Sequence, residues 1–203
     1  MSPQLYLASR SPRRQELLRQ LGLRFEVLPA EVLEQPQPAQ SPADYAVSMA
    51  LAKARTGSTL AREPLPVLGA DTDVVLDGEI LGKPLNREHG LSLLARLSGR
   101  THEVYSAVAM VLRDRTQTAL SVTRVNFAVI SPAMASAYWD TGEPVGKAGA
   151  YAIQGLGARF VKTIEGSYSG VMGLPLYETC ELLKAFGVEI FPPHTSRLTP
   201  HDL

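Results

Sequence analysis

The sequence predicts an α/β protein, on three observations. A short apolar run, Leu5-Tyr6-Leu7-Ala8, passes through a polar loop directly into a helical pattern that opens at Ser11-Pro12. Two β-rich runs meet at Asp77-Gly78, and because both central positions of a type I′ turn need positive φ, they pair as an antiparallel hairpin. A long apolar strand over 101–112 has a returning partner, and helical periodicities separate these strands. The chain has 203 residues, 45% hydrophobic and 20% charged, enough for a sizeable core in one domain. That domain is expected over 1–190. The tail 191–203 is proline-rich and aperiodic, with no pattern for a packed element.

Twenty basic and twenty acidic side chains cancel, which argues against a general nucleic-acid or membrane surface. Any anion affinity must come from local clustering. Cys180 is the only cysteine, so no internal disulfide forms and a reducing, cytoplasmic setting fits. Its place in a helical pattern reads as a buried thiol, not a nucleophile. No apolar stretch reaches the length of a membrane span, and the start lacks a basic region followed by a long apolar one.

After the first strand, Ser9-Arg10-Ser11-Pro12-Arg13-Arg14 opens a helix with Ser11 as N-cap, Pro12 at its first position and Gly22 as its stop. Arg13 and Arg14 fall in the first turn, where the helix dipole favours acids, so a bound anion would remove the conflict. Phe25 to Pro29 reads as a strand that leads into a loop carrying Glu31 and Glu34, which either stay on the surface or reach a site. Ser41-Pro42-Ala43-Asp44 is a capping box for a helix running to about Gly57. Lys53 shares the apolar stripe of that helix with Ala46, Met49, Ala50 and Ala54, so it either snorkels or points into a site.

The hairpin carries the chemistry. Asp71 and Asp73 lie on one face of its first strand, Thr72 faces the other way, and Lys83 follows the second strand at the end far from the turn. Two acids near one lysine suit a divalent-cation site or a general base beside a cation; an edge strand with solvated acids is the plainer alternative. Asn86 caps the next helix, which ends at Gly99. The strand over 101–112 then turns at 113–116 into a partner over 119–130, with His102 in a structural or surface role. Ser131-Pro132 opens a short helix. The stretch 143–157 holds Lys147 and Gln154 among glycines and matches neither a Walker loop nor a dinucleotide fingerprint, so it is a connector or a close-approach loop for a ligand. A strand over 160–164, a Gly-Ser loop over 166–170 and a last helix from Leu176 to Phe186 complete the pattern.

Four segments together resemble the Maf family of nucleoside triphosphate pyrophosphatases. They are Ser9-Arg10-Ser11-Pro12-Arg13-Arg14, Gly69-Ala70-Asp71-Thr72 with Lys83-Pro84, Lys147 to Gly155, and Gly166 to Pro175. The resemblance implies a mixed twisted sheet with flanking helices and two lobes around a central cleft, similar to inosine triphosphate pyrophosphatases. It implies a house-cleaning enzyme that hydrolyses a nucleoside triphosphate to the monophosphate and pyrophosphate with Mg²⁺ or Mn²⁺, often as a homodimer. By motif matching, Asp71 takes the proton-acceptor position, with Lys83 beside it. Ser9, Arg13, Arg14, Lys53 and Lys83 match phosphate-contacting positions, and Glu34 joins Asp71 near the metal. Arg13, Thr72 and Gln154 resemble the branch acting on dTTP and UTP. Arg10, Asp73 and Gly170 depart from the small residue, aliphatic and asparagine usual at those places. A regulator of septum formation with incidental hydrolysis, and a phosphatase releasing the γ-phosphate, are the competing readings.

Overall fold

The computed structural model describes residues 2–35, 37 and 39–190; the tail expectation for 191–203 lies outside them. Seven strands form one mixed sheet: β1 (Leu5–Leu7), β2 (Phe25–Val27), β3 (Val67–Leu76), β4 (Glu79–Ile80), β5 (Thr101–Leu112), β6 (Arg115–Phe127) and β7 (Val161–Glu165). Their order is β2-β1-β3-β5-β6-β7, with β4 added to β3. β1 pairs in parallel with β2 and β3, whereas β3, β5, β6 and β7 run antiparallel to their successive neighbours. The helices are α1 (Pro12–Gln20), α2 (Pro42–Leu60), α3 (Arg87–Leu97), α4 (Pro132–Asp140), α5 (Tyr168–Met172) and α6 (Leu176–Ala185), with 3₁₀ turns at Ala148–Ala150 and Leu156–Phe160. No helix among the described residues is long and apolar enough to cross a membrane.

β3 and β5 are long enough to serve two cores in succession. On one face, Leu68 and Ala70 of β3 and Val108 and Met110 of β5 pack with Leu17, Leu18, Leu182 and Leu183. Farther along the same face, Val74, Leu76 and Val104 pack with Leu93, Leu94, Leu97, Phe127 and Phe160. Thr72 and Ser106, which are register partners, fall between the two clusters, so the seam between the lobes is polar. The opposite face takes α2, whose Ala46, Ala50 and Ala54 meet Ala107, Ala109 and Val111. A side chain at Gly69 would run into the Ala50 carbonyl and the Ala54 backbone, so helix and strand touch almost backbone to backbone. This close approach brings the side chain of Lys53 within reach of the acid on the strand below.

The Asp77-Gly78 hairpin forms as expected, with φ of 54° and 80° at its two turn residues. Three elements differ from expectation. α2 continues past Gly57, because that glycine is no stop: a Cβ there would press on Ala8 and Val67, so it is a packing contact. The β5–β6 turn is only Arg113-Asp114, with Leu112 opposite Arg115, and the strand leaves the sheet at Phe127. The first four residues of β6 are polar and exposed, which hides their strand character from an apolar pattern. Finally, Tyr168–Met172 is a helix, capped by Ser167 accepting from the Gly170 N–H and ended by Gly173 at φ 131°, inside a stretch expected to be loop. Its length and glycine content conceal it.

His102 is structural. It is buried, its Nε2 lies 2.9 Å from the Tyr151 hydroxyl, and Phe127 meets it edge to face. Burial holds its pKa down at about 4, so it is neutral near pH 7. Cys180 is half-buried and burial pushes its thiol pKa upward, consistent with an inert side chain.

Candidate active site

β5 pairs with β3 along Val67–Val75, but on its other side β1 reaches only Val67 and Leu68 and β4 only Val75 and Leu76, so it is burial, not a central place in the sheet, that argues against solvated acids here. Asp71 is 7% exposed and Asp73 9%. Lys53 does not snorkel: it is buried, and its Nζ donates to Asp71 Oδ1 and to Glu34 Oε1, each at 2.6 Å. Lys83 donates to the other Glu34 oxygen at 2.7 Å. Glu34 therefore reaches the site from its loop. Burial pushes its carboxyl up, but the hydrogen bonds from Lys53 and Lys83 outweigh that and hold it at about 2.

α1 supplies the opposite wall. Ser41 and Ser131 accept hydrogen bonds from the N–H groups of Asp44 and Met134 at the starts of α2 and α4, yet Ser11 makes no such bond. The first turn of α1 holds no acid. Its N-terminus thus keeps its positive end for something else. Arg13 and Arg14 are pinned by their Nε atoms to the carbonyls of Met172 and Gly173, at 3.0 and 2.8 Å. Arg14 also donates to Ser9 Oγ at 3.2 Å and Thr72 Oγ1 at 3.4 Å. Burial lowers the pKa of both arginines; Arg14 adds to the effect on Arg13, whereas Asp71, Glu34 and Asp73 oppose it on Arg14. Two crowded, partly desolvated guanidinium groups favour an anion between them.

One cavity of about 520 Å³ is lined by Ser9, Arg13, Arg14, Glu34, Lys53, Asp71, Thr72, Lys83 and Gln154 together. The residues matched to the family's site positions are all in that set, whereas Asp73, paired with Asp71 in the sequence reading, is not. Lys147 joins them, its pKa lowered by burial first and by Arg13 second. Arg10 lines the mouth of the same cavity, but it is exposed and pairs with Glu31 at 3.0 Å, and an ion pair that exposed contributes little. Asp73 lies just behind the cavity. Its carboxyl pKa is pushed upward, by burial first and by the neighbouring Asp71 charge second.

Two sets of residues escaped the sequence pattern. Ser106 Oγ donates to the Gly170 carbonyl and lies 3.3 Å from Thr72 Oγ1, tying α5 to the seam between the lobes. Glu143 organises the glycine-rich loop: Oε1 accepts from Tyr138 OH at 2.7 Å and the Gly157 N–H at 2.9 Å, and Oε2 from the Leu156 N–H at 2.8 Å. Gly155 sits so close that a Cβ would strike the Glu143 carboxylate. The clamp fixes the segment that carries Gln154 on the cavity wall. Only the alternating glycines at 155 and 157 hint at it in the sequence.

Guanidinium and ammonium groups converging on one cleft beside the C-terminal end of β1 give it the charge pattern of an anion-binding site. The chain belongs to the Maf family, since the family pattern described as "Maf-like protein" matches residues 4–186. It is 52% identical to a dTTP/UTP pyrophosphatase of Methylobacillus flagellatus, over 92% of this chain and 94% of that protein. It is 54% identical to the dTTP/UTP pyrophosphatase of Yersinia pestis, over 90% and 92%. The solved Staphylococcus aureus Ham1 protein matches at 14% identity with a TM-score of 0.49, covering 90% of this chain and 96% of that one.

Replacing Glu143 by Ala should leave the Leu156 and Gly157 N–H groups without their acceptor, at a cost of about 1–3 kcal/mol. Hydrogen exchange at these two amides should speed up markedly while that of β3 and β5 holds. Unchanged protection at 156 and 157 would show that Glu143 does not hold the loop.

Proposed function

We propose that this chain hydrolyses nucleoside triphosphates between the α- and β-phosphates, giving the monophosphate and pyrophosphate, with dTTP and UTP as its substrates. The observation that carries the proposal is the Lys53 ammonium joined to both Glu34 and Asp71, in a cavity walled by Arg13, Arg14 and Lys83. The dTTP/UTP pyrophosphatases that the chain matches over nine-tenths of its length support the same reading.

In this reading the arginines clamp the phosphate oxygens, and the N-terminus of α1 adds its dipole. Lys83 neutralises charge that grows on the departing pyrophosphate. Asp71 accepts a hydrogen bond from Lys53 on Oδ1, which leaves Oδ2 to orient a water and take its proton as the oxygen attacks the α-phosphorus. The bond to the bridging oxygen breaks and pyrophosphate leaves. Lys53 holds Asp71 fixed in place for this step.

Among the described residues no three side chains converge into a ready-made metal cage. That fits Mg²⁺ or Mn²⁺ held by one or two carboxylates together with substrate phosphates, which is how such ions are usually bound. Glu34 and Asp71 would hold it, and the ion would supply charge neutralisation at the reacting phosphate. Gln154 carries one amide donor and one acceptor on the cavity wall, a match for the paired donor and acceptor on the edge of uracil or thymine. A homodimer, a cytoplasmic setting and a house-cleaning role for nucleotide pools belong to the same proposal.

Incubation with dTTP and Mg²⁺ should release pyrophosphate, and Asp71→Asn should cut that rate by about a hundredfold to ten-thousandfold without changing the fold. Orthophosphate in place of pyrophosphate would make the chain a γ-phosphatase. Tight binding with no product would leave a nucleotide-binding regulator, the septum-linked reading included. For Gln154→Ala, kcat/KM for dTTP and UTP should fall toward the values for CTP and GTP; unchanged selectivity would take Gln154 out of base recognition.

A further inference from the structure

Lys147 lines the substrate cavity and has no part in the mechanism above. Six cationic side chains line that cavity: Arg10, Arg13, Arg14, Lys53, Lys83 and Lys147. Acids already match three of them, since Arg10 pairs with Glu31, Lys53 with Asp71 and Glu34, and Lys83 with Glu34. Among the described residues, Arg13, Arg14 and Lys147 make no ion pair. Arg14 still feels Asp71, Glu34 and Asp73, whereas the charge that acts on Arg13 is another cation, Arg14. Lys147 in turn lies in the field of Arg13. Glu143, the acid that acts on Lys147, has its oxygens engaged by the Tyr138 hydroxyl and the N–H groups of Leu156 and Gly157. The Lys147 ammonium donates to the Val145 carbonyl at 3.2 Å, which leaves most of its donor capacity for a ligand. Its backbone is braced: the Lys147 carbonyl accepts from the Ala150 N–H at 3.0 Å, and the Gly149 N–H donates to the Gly82 carbonyl, next to Lys83, at 2.9 Å. Like charges held together in this way cost free energy until an anion joins them.

We propose that Lys147 binds the pyrophosphate half of the substrate from the glycine-rich loop, sharing its phosphate oxygens with Arg13 of α1. The proposal rests on the pyrophosphatase reading for the identity of the site, and deepens it by dividing the cavity's cations between the two products. A terminal phosphate carries a charge of about −1.5 to −2 near pH 7, whereas the α-phosphate, bridged on both sides, carries less. The Lys53, Asp71 and Glu34 cluster is already balanced and suits the less charged phosphorus that is attacked. Arg13 and Lys147, which no acid pairs, suit the part that leaves. The grip also joins two segments far apart in the chain, so that the bound pyrophosphate group links α1 to the loop that carries Gln154.

The test is calorimetric binding of inorganic pyrophosphate and, separately, of UMP, each with Mg²⁺, to the natural chain, Lys147→Met, Lys147→Gln and Lys147→Arg. Pyrophosphate should bind Lys147→Met and Lys147→Gln about tenfold to a hundredfold more weakly, the scale of a lost hydrogen bond to a charged group. UMP affinity should hold in both, and Lys147→Arg should keep most of the pyrophosphate affinity. Circular dichroism and the melting temperature confirm that each variant is folded. Unchanged pyrophosphate affinity in a folded Lys147→Met or Lys147→Gln overturns the proposal. So does an equal loss for pyrophosphate and UMP, which is what a lysine that only shapes the loop would give, and so does a natural chain that binds no pyrophosphate. Release of pyrophosphate from dTTP by the natural chain is read separately. If it occurs while Lys147→Met binds pyrophosphate normally, the activity stands and the role of Lys147 falls. If it is absent while the selective loss holds, the pyrophosphate site stands and the activity falls.

Discussion

The ammonium of Lys53, buried between two carboxylates, is the constraint on which the rest of the site depends. Desolvating a lysine is expensive, and the attraction of Asp71 and Glu34 offsets that cost only while both geometries hold. Removing one partner from such a cluster leaves an uncompensated charge, so the three residues act as a unit. The unit exists because α2 approaches β3 closely, through Gly69, Ala50 and Ala54, and so lays the lysine directly over the strand acid. Glu34 then ties an otherwise irregular loop to the sheet, with Lys83 fastening its second oxygen.

The arginines depend on a different set of restraints. Arg13 and Arg14 are held by backbone carbonyls at the end of α5, and α5 is in turn held to β5 by Ser106 and to β6 through Ser167 and Thr123. These polar contacts line the seam where one apolar cluster ends and the next begins. A continuous apolar face would have closed that seam and left no cleft. The polar pair Thr72 and Ser106, facing each other in register, therefore both breaks the core and builds the site.

Much of this was legible in the chain itself. Asp-Gly specifies its hairpin through backbone sterics, and period two places Asp71 and Asp73 on one face, so those features follow from local chemistry alone. Ser-Pro signatures located three helix starts for the same reason. The helical stripe raised the two fates of Lys53 but could not choose between them, because the choice depends on a strand eighteen residues away. Glu143 was invisible on the same grounds: its partners lie thirteen and fourteen residues on, and only the folded loop brings them together. The short helix α5 escaped because five residues with a central glycine carry no periodicity to read. The gathering of Arg13, Lys53, Lys83 and Gln154 was reached through family resemblance, since nothing local relates four segments spread over most of the chain.

The central claim is that the polyphosphate lies against α1 and Lys83 with its α-phosphorus presented to Asp71. A crystal structure with the α,β-methylene analogue of dUTP and Mg²⁺ examines it directly, because the carbon bridge prevents hydrolysis. The account predicts phosphate oxygens on Arg13, Arg14 and Lys83, and an Asp71 carboxylate facing the α-phosphorus opposite the bridging carbon. A nucleotide bound outside this cavity, or one whose γ-phosphorus faces Asp71, would contradict it.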